Sequence, residues 1–367
     1  MTPLERLPLP LLEWYHENAR VLPWRSDPTP YHVWVSEIML QQTRVAAVLG
    51  YYERFLEALP TVADLAHCPE DKLMKLWQGL GYYSRARNLQ TAARQVMERH
   101  GGEFPTKYDD IRALAGVGDY TAGAIASIAL GQAVPAVDGN VLRVVSRLTN
   151  DRRDVTRPET KADITAALRA VLPIHAAGEF NQALMDLGAT VCLPNGAPLC
   201  ESCPARDFCA ARQAGCAAEL PVRPPKKERR VEERTVWLIF HEKKVALRQR
   251  PETGLLAGLW EYPNELAETE MASSPEKAPA KETTGKSAPQ SSAAKAPISP
   301  VPGEVSFAGA GKHVFTHIEW HMRSYAVQAA GEELPPGWVW ADRRELGERY
   351  SVPSAFQPFF HILEDNL

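Results

Sequence analysis

Residues 108–148 read YDDIRALAGVGDYTAGAIASIALGQAVPAVDGNVLRVVSRL, and this stretch carries the strongest structural signal in the chain. Apolar residues at helical spacing predict one helix over residues 109–115 and a second over about 120–130. Gly116 and Gly118 lie between the two helices, and glycine readily takes the positive φ that a tight connection needs. The pattern predicts a helix, a hairpin and a helix, whose successive backbone N–H groups can hold a phosphate of a nucleic acid.

Asp138 lies twenty residues beyond Gly118 and directly before Gly139, Asn140 and an apolar run. An aspartate in this position is typical of a helix N-cap, where backbone N–H groups and the helix dipole stabilise the ionised carboxylate. We therefore expect Asp138 to lose its proton readily and to be ionised at neutral pH. Taken alone, the hairpin fits an ordinary connection between helices, and Asp138 fits a cap without further function.

Further towards the N-terminus, residues 31–52 predict one long helix that contains Glu37. A carboxyl on an apolar helix face is desolvated, which raises its pKa towards the range that a general acid needs at neutral pH. A surface glutamate at the edge of the apolar stripe is the alternative interpretation. The neighbours of Glu37 at helical spacing are Val33, Trp34, Leu40 and Gln41.

Three segments in one order carry a resemblance: PWRSDPTPYHVWVSEIMLQQTRV (23–45), GVGDYTAG (116–123) and VDGNVLRV (137–144). They resemble the adenine DNA glycosylases, the MutY family of the helix-hairpin-helix, endonuclease III superfamily. The resemblance implies an all-helical glycosylase domain in which Glu37 is the catalytic acid and Asp138 the catalytic carboxylate.

The resemblance also implies that Tyr120 and Asn140 orient the two carboxyl groups. Relatives that cut the DNA strand carry a lysine at the position of Tyr120. A lysine amine can form a Schiff base with the opened sugar, and a tyrosine cannot. We therefore expect a monofunctional glycosylase without an efficient strand-cutting step.

The same resemblance assigns contacts with double-stranded DNA. It implies that Trp24 and Arg25 line the pocket of the extruded base, while Gln182 reads the adenine edge, whose donor and acceptor an amide matches. An enzyme that acts on a stacked base must extrude it and hold the gap open. The other residues assigned to the DNA are Leu40, Gln41 and Gln42 at the minor groove, Leu80 and Tyr82 in the next Gly-rich loop, and Gly116, Val117 and Gly118 of the hairpin.

Four cysteines, Cys192, Cys200, Cys203 and Cys209, follow with the spacing C-x7-C-x2-C-x5-C. Clustered cysteines in a chain without an export signal predict a metal site, and tetrahedral zinc would satisfy this spacing. The resemblance implies a [4Fe–4S] cluster, although the superfamily has six residues in the first gap and basic residues in that loop. Cys216 is an alternative ligand, but Cys192 keeps the family's order of gaps.

A Pro-rich, charged segment at residues 217–231 predicts a linker between a glycosylase domain, residues 1–216, and a second domain, residues 232–367. RTVWLIFHEKKVALRQRP (234–251) predicts two strands, and GLLAGLWEYP (254–263) resembles the Nudix-like α+β domain of the same family. The glutamate box that a Nudix hydrolase needs for Mg²⁺ is missing, so phosphohydrolase activity is the weakest alternative. Residues 266–302 contain no aromatic residue and predict a disordered insertion.

Within the second domain, HVFTHIEWHM (313–322) resembles the family's loop that probes the oxidised guanine. The resemblance assigns this role to Phe315, Thr316 and His317, and Thr316 keeps the hydroxyl of the serine that the family carries. A plain hairpin with alternating histidines is the alternative.

The formal net charge is −4, so any contact with DNA must come from a local patch or from the hairpin N–H groups. The N-terminal residues do not resemble a signal peptide, and no apolar run is long enough to span a membrane. We expect a cytoplasmic, nucleoid-associated monomer of bacterial type that excises adenine paired with 8-oxoguanine or guanine in base excision repair. A mismatch thymine glycosylase on the same scaffold and a non-catalytic lesion-binding protein remain as alternatives.

Overall fold

The computed structural model describes residues 1–225, 228–267 and 297–367. The chain divides into two compact units, Met1–Lys226 and Lys227–Leu367, and the division falls inside the segment that we predicted as a linker. Most of the predicted insertion, residues 268–296, lies outside the described residues. At the edges of that insertion Leu266 closes a strand and Val301 is buried, so the folded structure extends further into it than we predicted.

Helices and connecting loops make up the described part of the first unit. Among the described residues of the chain, no helix is both long and apolar enough to cross a membrane. The helices are α1 (Pro8–Asn18), α2 (Pro23–Ser26), α3 (Pro30–Leu40), α4 (Val45–Ala58), α5 (Val62–His67), α6 (Glu70–Trp77), α7 (Ser84–Arg99), α8 (Tyr108–Arg112), α9 (Asp119–Ala124), α10 (Gly139–Thr149), α11 (Pro158–Val171), α12 (Ala177–Thr190) and α13 (Ala210–Gln213).

The prediction of one helix over residues 31–52 is wrong, because the chain forms two helices there. α3 ends at Leu40 and α4 begins at Val45, and Gln42 between them has a left-handed φ of +59°. The cause of the break is tertiary. Carbonyl groups at the end of α3 accept hydrogen bonds from the side chain of Arg85 on α7, in place of the N–H groups of a next helical turn.

The predicted hairpin is present between α8 and α9, with two differences. Only Gly116 takes a positive φ, of +74°, whereas Gly118 has a φ of −100° and is the N-cap of α9. A side chain at Gly116 would also meet Asn88, whose Cβ would lie 2.7 Å from the added Cβ. The second helix is α-helical only to Ala124, and it continues as a π-helical turn over Ile125–Ala129.

α12 packs against both α1 and α10, and these helices form a core around Leu11, Val141, Phe180 and Leu184. α12 also contacts the π-helical turn, and the turn contacts α3. The end of α3, the start of α10 and one face of α12 are thereby brought around a common space.

A mixed sheet with the strand order β3-β2-β1-β6-β5 organises the second unit, and its first strand starts two residues before the predicted boundary. β1 and β6 pair in parallel, the other pairings are antiparallel, and β4 and β7 add to β1 and β2. Trp320, Phe356 and Phe359 lie in its core. The elements are β1 (Arg230–His241), β2 (Lys244–Gln249), β3 (Trp260–Glu261), β4 (Asn264–Leu266), β5 (Gly303–Val314), β6 (Ile318–Ala329), β7 (Trp338–Asp342), α14 (Arg343–Glu348), a 3-10 segment (Ser354–Phe359) and α15 (Phe360–Asn366).

Candidate active site

A cleft of about 810 Å³ in the first unit brings together most of the residues that we predicted to act on the substrate. It lies between the end of α3, the start of α9, the start of α10 and one face of α12. Its size is in the usual range for a small-molecule site. The predicted residues that line it are Trp24, Arg25, Glu37, Leu40, Gln41, Gln42, Gly118, Tyr120, Asp138, Asn140 and Gln182.

Glu37 lies on the buried face of α3, with 5% of its surface exposed, so the alternative of a surface glutamate is wrong. Burial disfavours the charged carboxylate and raises its pKa to about 7. The hydroxyl of Tyr120 donates a hydrogen bond to Oε2 of Glu37 at 2.5 Å, which opposes this rise. The charge of Asp138 adds to the rise, and that of Arg25 opposes it. The result is a carboxyl that can hold or release a proton near neutral pH.

Asp138 caps α10 as predicted. Its Oδ1 accepts from the N–H of Val141 at 2.7 Å, and its Oδ2 accepts from the side-chain amide of Asn140 at 2.7 Å. The expected direction of its pKa is wrong, however. Burial raises the pKa of Asp138 above its ordinary value, and the hydrogen bonds and the Arg143 charge only partly compensate. The carboxyl is largely buried, and desolvation opposes its ionisation more strongly than the cap hydrogen bonds favour it.

Tyr120 interacts electrostatically with both carboxyl groups. Burial and the charges of Glu37 and Asp138 raise its pKa well above the ordinary value, so its hydroxyl keeps the proton and acts as a donor. Two carboxyl groups in different environments are the arrangement from which enzymes obtain an acid and an anion. Here Glu37 has a pKa of about 7, while Asp138, whose pKa burial also raises, accepts hydrogen bonds that oppose this rise.

Two residues of the site, Arg20 and Asp186, were missed by the sequence analysis. The Asp186 side chain on α12 is fully buried, and it accepts from Arg20 at 2.5 Å and 2.8 Å and from Arg25 at 2.8 Å and 2.9 Å. Burial alone would raise the Asp186 pKa, but the two arginines hold it below its usual value. An aspartate within the apolar run FNQALMDLGATVC was the available signal.

The two remaining base-pocket residues, Trp24 and Gln182, differ in how tightly contacts with the protein fix their side chains. Trp24 is buried, and its ring packs edge-on against Tyr52 with ring centroids 5.3 Å apart. Gln182 lines the cleft, and within the described part of the chain its amide makes one long hydrogen bond, from Nε2 to the carbonyl O of Gly178 at 3.4 Å, which leaves it available to a ligand.

The residues assigned to the DNA duplex differ in their exposure. Leu80 and Val117 are 6% and 8% exposed, so their side chains pack inside the protein. Tyr82, in contrast, is 44% exposed, and Gln42 is also exposed. The Gln41 side chain points back to the protein, with Nε2 at 3.4 Å from Oγ1 of Thr121.

A second cavity, of about 380 Å³, adjoins the cleft and shares Tyr120 and Asp138 with it. Lys161, Arg169 and Arg223 line this cavity. None of these three cations has an ion-pair partner among the residues that the structure describes. The same cavity is lined by the carboxyls of Asp119, which is paired with Arg112, and of Asp138, so the three cations outnumber the carboxyls beside the cleft although the net charge of the chain is −4.

The four predicted cysteine ligands, Cys192, Cys200, Cys203 and Cys209, line one small cavity together with three arginines, Arg147, Arg206 and Arg212. Cys216, the alternative ligand, lies elsewhere, and its thiol is 3.2 Å from Oδ1 of Asn150. Within the described ranges no three Cys, His, Asp or Glu side chains are grouped closely enough to hold one metal ion. The donor set is therefore four thiols around a shared space.

Phe315, Thr316 and His317 form the turn between β5 and β6 in the second unit. The Phe315 ring packs against Trp320, with centroids 4.9 Å apart, and its carbonyl O accepts from Nε of Arg229 at 3.0 Å. Thr316 and His317 are exposed at the tip of the turn.

Two family models match the chain. Residues 35–170 match the HhH-GPD superfamily of base excision DNA repair proteins, and residues 235–361 match the NUDIX domain. Adenine DNA glycosylases of Mus musculus and Homo sapiens are 35% and 34% identical to this chain. These alignments cover 97% and 96% of this chain and 77% and 73% of the two relatives.

Solved structures agree on the fold of the helical part. A thermostable thymine-DNA glycosylase is 28% identical with a TM-score of 0.53, over 58% of this chain and 97% of that protein. An endonuclease III in a non-covalent DNA complex is 24% identical with a TM-score of 0.50, over 59% and 99%. The predicted fold class, a helix-hairpin-helix domain followed by a Nudix-like α+β domain, is confirmed. The chain belongs to the adenine DNA glycosylases, enzymes of base excision DNA repair.

Proposed function

We propose that this enzyme excises adenine paired with 8-oxoguanine, or with guanine, and that it leaves the DNA strand uncut. The observation that carries the proposal is the buried Glu37 carboxyl, with a pKa of about 7, in one cleft with Asp138 and Tyr120. This arrangement provides an acid and an anion for cleavage of a glycosidic bond. No amine occupies position 120, so the arrangement lacks a Schiff-base nucleophile there.

The proposed reaction begins with proton transfer from Glu37 to N7 of the adenine. The bond between C1′ and N9 breaks, and its electron pair leaves with the protonated base. The Asp138 carboxylate stabilises the positive charge that develops on the sugar, as a contact ion or as a transient adduct at C1′. Glu37, now ionised, takes a proton from a water molecule while the water oxygen bonds to C1′, and where the adduct has formed its bond from C1′ to Asp138 breaks and the electron pair returns to the carboxylate.

Neighbouring groups would keep the two carboxyls in these roles. The Tyr120 hydroxyl donates to Glu37 and so supports its ionised form after the proton has left. Asn140 donates to Asp138 and orients its second oxygen. Arg25, fixed by Asp186, places a positive charge near Glu37 and lines the pocket of the extruded base with Trp24.

The DNA itself would be held along one side of the cleft. The side chains of Gln42 and Tyr82 are exposed and are suited to enter the base stack of the DNA. The backbone N–H groups of the hairpin around Val117 are suited to hold a phosphate of the DNA backbone. Lys161, Arg169 and Arg223 supply the local positive charge that the net composition lacks. The Gln182 amide would read the adenine edge.

Adenine is an undamaged base, so selectivity requires recognition of the base opposite. We assign this recognition to the turn of Phe315, Thr316 and His317, which resembles the loop of the family that probes the oxidised guanine. A hydroxyl both donates and accepts hydrogen bonds, so Thr316 suits the N7–H and O8 that distinguish 8-oxoguanine from guanine.

We propose that Cys192, Cys200, Cys203 and Cys209 hold a [4Fe–4S] cluster. The four thiols line one cavity, and four cysteine thiolates are the ligand set that such a cluster takes. The endonuclease III-like fold also supports a member of an iron–sulfur family. When bound, the cluster would act structurally, by fastening the loop after α12.

We also propose a cytoplasmic monomer. A mismatch thymine glycosylase is the second candidate, favoured by the similarity to a thymine-DNA glycosylase. The alignment takes in 97% of that protein but only 58% of this chain. The solved protein therefore has no counterpart to a second unit of the size found here. This difference favours adenine.

The test is a single-turnover assay on duplexes with one A·8-oxoguanine, A·G, T·G or A·T pair, scored for strand breaks before and after alkali. We expect alkali-dependent breaks at adenine opposite 8-oxoguanine and guanine. Glu37→Gln should abolish them, with Glu57→Gln, an exposed glutamate on α4, as the control. Breaks at T·G alone would establish the second candidate, and tight binding without any breaks would establish a lesion-binding protein.

A further inference from the structure

Arg85, near the start of α7, is a buried cation that the proposed chemistry does not use. Its residue is 8% exposed, and no carboxylate among the described residues pairs with it. Burial lowers its pKa to about 10, which still leaves the guanidinium charged at neutral pH. A buried charge needs other partners, and here they are oxygen atoms of two separate loops.

The first loop follows α3, the helix that carries Glu37. Nη1 of Arg85 donates to the carbonyl O atoms of Ile38, Met39 and Gln41 at 2.8, 2.9 and 2.5 Å. These carbonyl groups lie at the C-terminus of α3, where the helix leaves them without partners and where its dipole favours a cation. Arg85 thus determines where α3 ends.

The second loop lies between α6 and α7. Nη2 of Arg85 donates to the carbonyl O atoms of Leu80 and Gly81, both at 3.0 Å. The guanidinium also lies over the rings of Trp77 and Tyr82, 5.4 and 5.6 Å from their centroids. One planar group therefore binds both loops at once.

Each loop contains one left-handed residue that is not glycine, and Arg85 holds the peptide group directly before it. Gln42 has a φ of +59° and follows Gln41, while Tyr82 has a φ of +48° and follows Gly81. Such a conformation is unfavourable for a residue that carries a side chain, and it persists only where the surroundings enforce it. The hydrogen bonds of Arg85 to Gln41 and Gly81 are the enforcing contacts.

We propose that Arg85 is a positioning residue that joins the two loops into one rigid unit, so that Gln42 and Tyr82 enter the DNA duplex together. The proposal rests on the proposed function, in which these two side chains hold open the gap left by the extruded adenine. Because Arg85 also defines the end of α3, insertion of the two side chains is mechanically linked to the helix of Glu37.

Lysine cannot take this place. Arginine presents five donors in one plane, whereas an ammonium group has three donors around a single point. Arg85→Lys therefore keeps the charge but cannot reach both loops. Arg94→Lys is a matched control, because Arg94 lies on the same helix and its Nε donates to the carbonyl O of Ala66, near the end of α5, at 3.1 Å.

The first experiment measures extrusion directly with the full chain. A duplex with 2-aminopurine opposite 8-oxoguanine is mixed with Glu37→Gln protein, and the rate of the fluorescence change on unstacking is recorded. We expect Arg85→Lys in this background to slow the change at least about tenfold and Arg94→Lys to leave it unaltered. Equal rates for the Arg85 and Arg94 variants would overturn the proposal.

The main comparison of a second experiment needs no Arg85 variant, so it does not depend on the folding of one. Gln42→Ala, Tyr82→Ala and the double variant are compared for the extrusion rate in protein that retains Arg85. Each variant is expected to lower the extrusion rate by some factor. If the loops act as one unit, the factor for the double variant should be about tenfold smaller than the product of the factors for the two single variants. In Arg85→Lys protein the two losses should multiply.

If the two decreases in extrusion rate multiply in protein that retains Arg85, the proposal is overturned. The proposed function is unaffected by that result as long as the parent enzyme excises adenine. If the unmodified chain neither extrudes nor excises adenine from A·8-oxoguanine duplexes, the proposed function itself fails, and this inference fails with it. The two failures are therefore distinguishable.

Discussion

Replacement of Glu37 by glutamine should stabilise the helical unit above neutral pH, relative to the unmodified chain. Glu37 is buried on α3, and above its pKa the folded protein must hold a carboxylate with little access to water. Glutamine has nearly the same shape and no charge, so it removes this cost. The active site would then be a place where stability is given up for function.

The size of the effect follows from the pKa shift. The ordinary pKa of 4.5 applies to the unfolded chain, and burial raises it to about 7 in the folded protein. A raised pKa contributes stability that is fully present below pH 4.5 and is lost as the pH rises through 7. The difference of about 2.5 units, at about 1.36 kcal/mol per unit, corresponds to about 3 kcal/mol of unfolding free energy.

The assay is urea unfolding followed by circular dichroism at about 222 nm, a signal dominated by the helices of the first unit. Unfolding free energies of the unmodified chain, Glu37→Gln and Glu57→Gln are measured at about pH 4.5, 6 and 8. We expect the gap between Glu37→Gln and the unmodified chain to widen by about 3 kcal/mol in favour of the variant from pH 4.5 to pH 8. The exposed Glu57 serves as the control and should give curves parallel to the unmodified chain.

Parallel curves for Glu37→Gln and the unmodified chain would refute this reasoning. They would mean that the Glu37 carboxyl is solvated in the folded protein to the same degree as in the unfolded chain. A gap that widens in the opposite direction would mean that the contacts with Tyr120 and Arg25 outweigh desolvation, and that Glu37 is an anion at neutral pH.

Three further predictions follow from the site. Tyr120→Phe removes the donor that lowers the pKa of Glu37, so the alkaline limb of the single-turnover rate should move up by about one pH unit; an unmoved limb would contradict it. Asp186→Asn leaves two buried arginines without their carboxylate and should cost about 3–5 kcal/mol in thermal unfolding; an unchanged melting temperature would count against this role. Cys209→Ser should lower the iron content and the visible absorption of the purified protein, whereas Cys216→Ser, outside the cavity, should not; equal iron in both variants would contradict the ligand assignment.

Features that depend on near neighbours in the chain were predicted correctly. Asp138 caps α10 through the N–H of Val141, as its position directly before Gly139, Asn140 and an apolar run implies. Caps and turns are formed by hydrogen bonds across three or four residues, so the local sequence contains all the required information.

The resemblance to a family made it possible to predict the site as well, because motifs in distant segments of the chain belong to one active site in that family. Glu37 and Asp138 are 101 positions apart, and no spacing rule would bring them into one cleft. The structure lines one cleft with both of them and with Tyr120.

Only the tertiary structure decided three further points. α3 ends at Leu40 because Arg85, 45 positions further along, binds its carbonyl groups, and a helical pattern contains no sign of that contact. The pKa of Asp138 is raised because burial outweighs its cap, and burial is a property of everything packed around the residue. Asp186 is a member of the site because Arg20 and Arg25 reach it from another segment. Local hydrogen bonds can be read from spacing, whereas desolvation and long-range pairing exist only once the chain has folded.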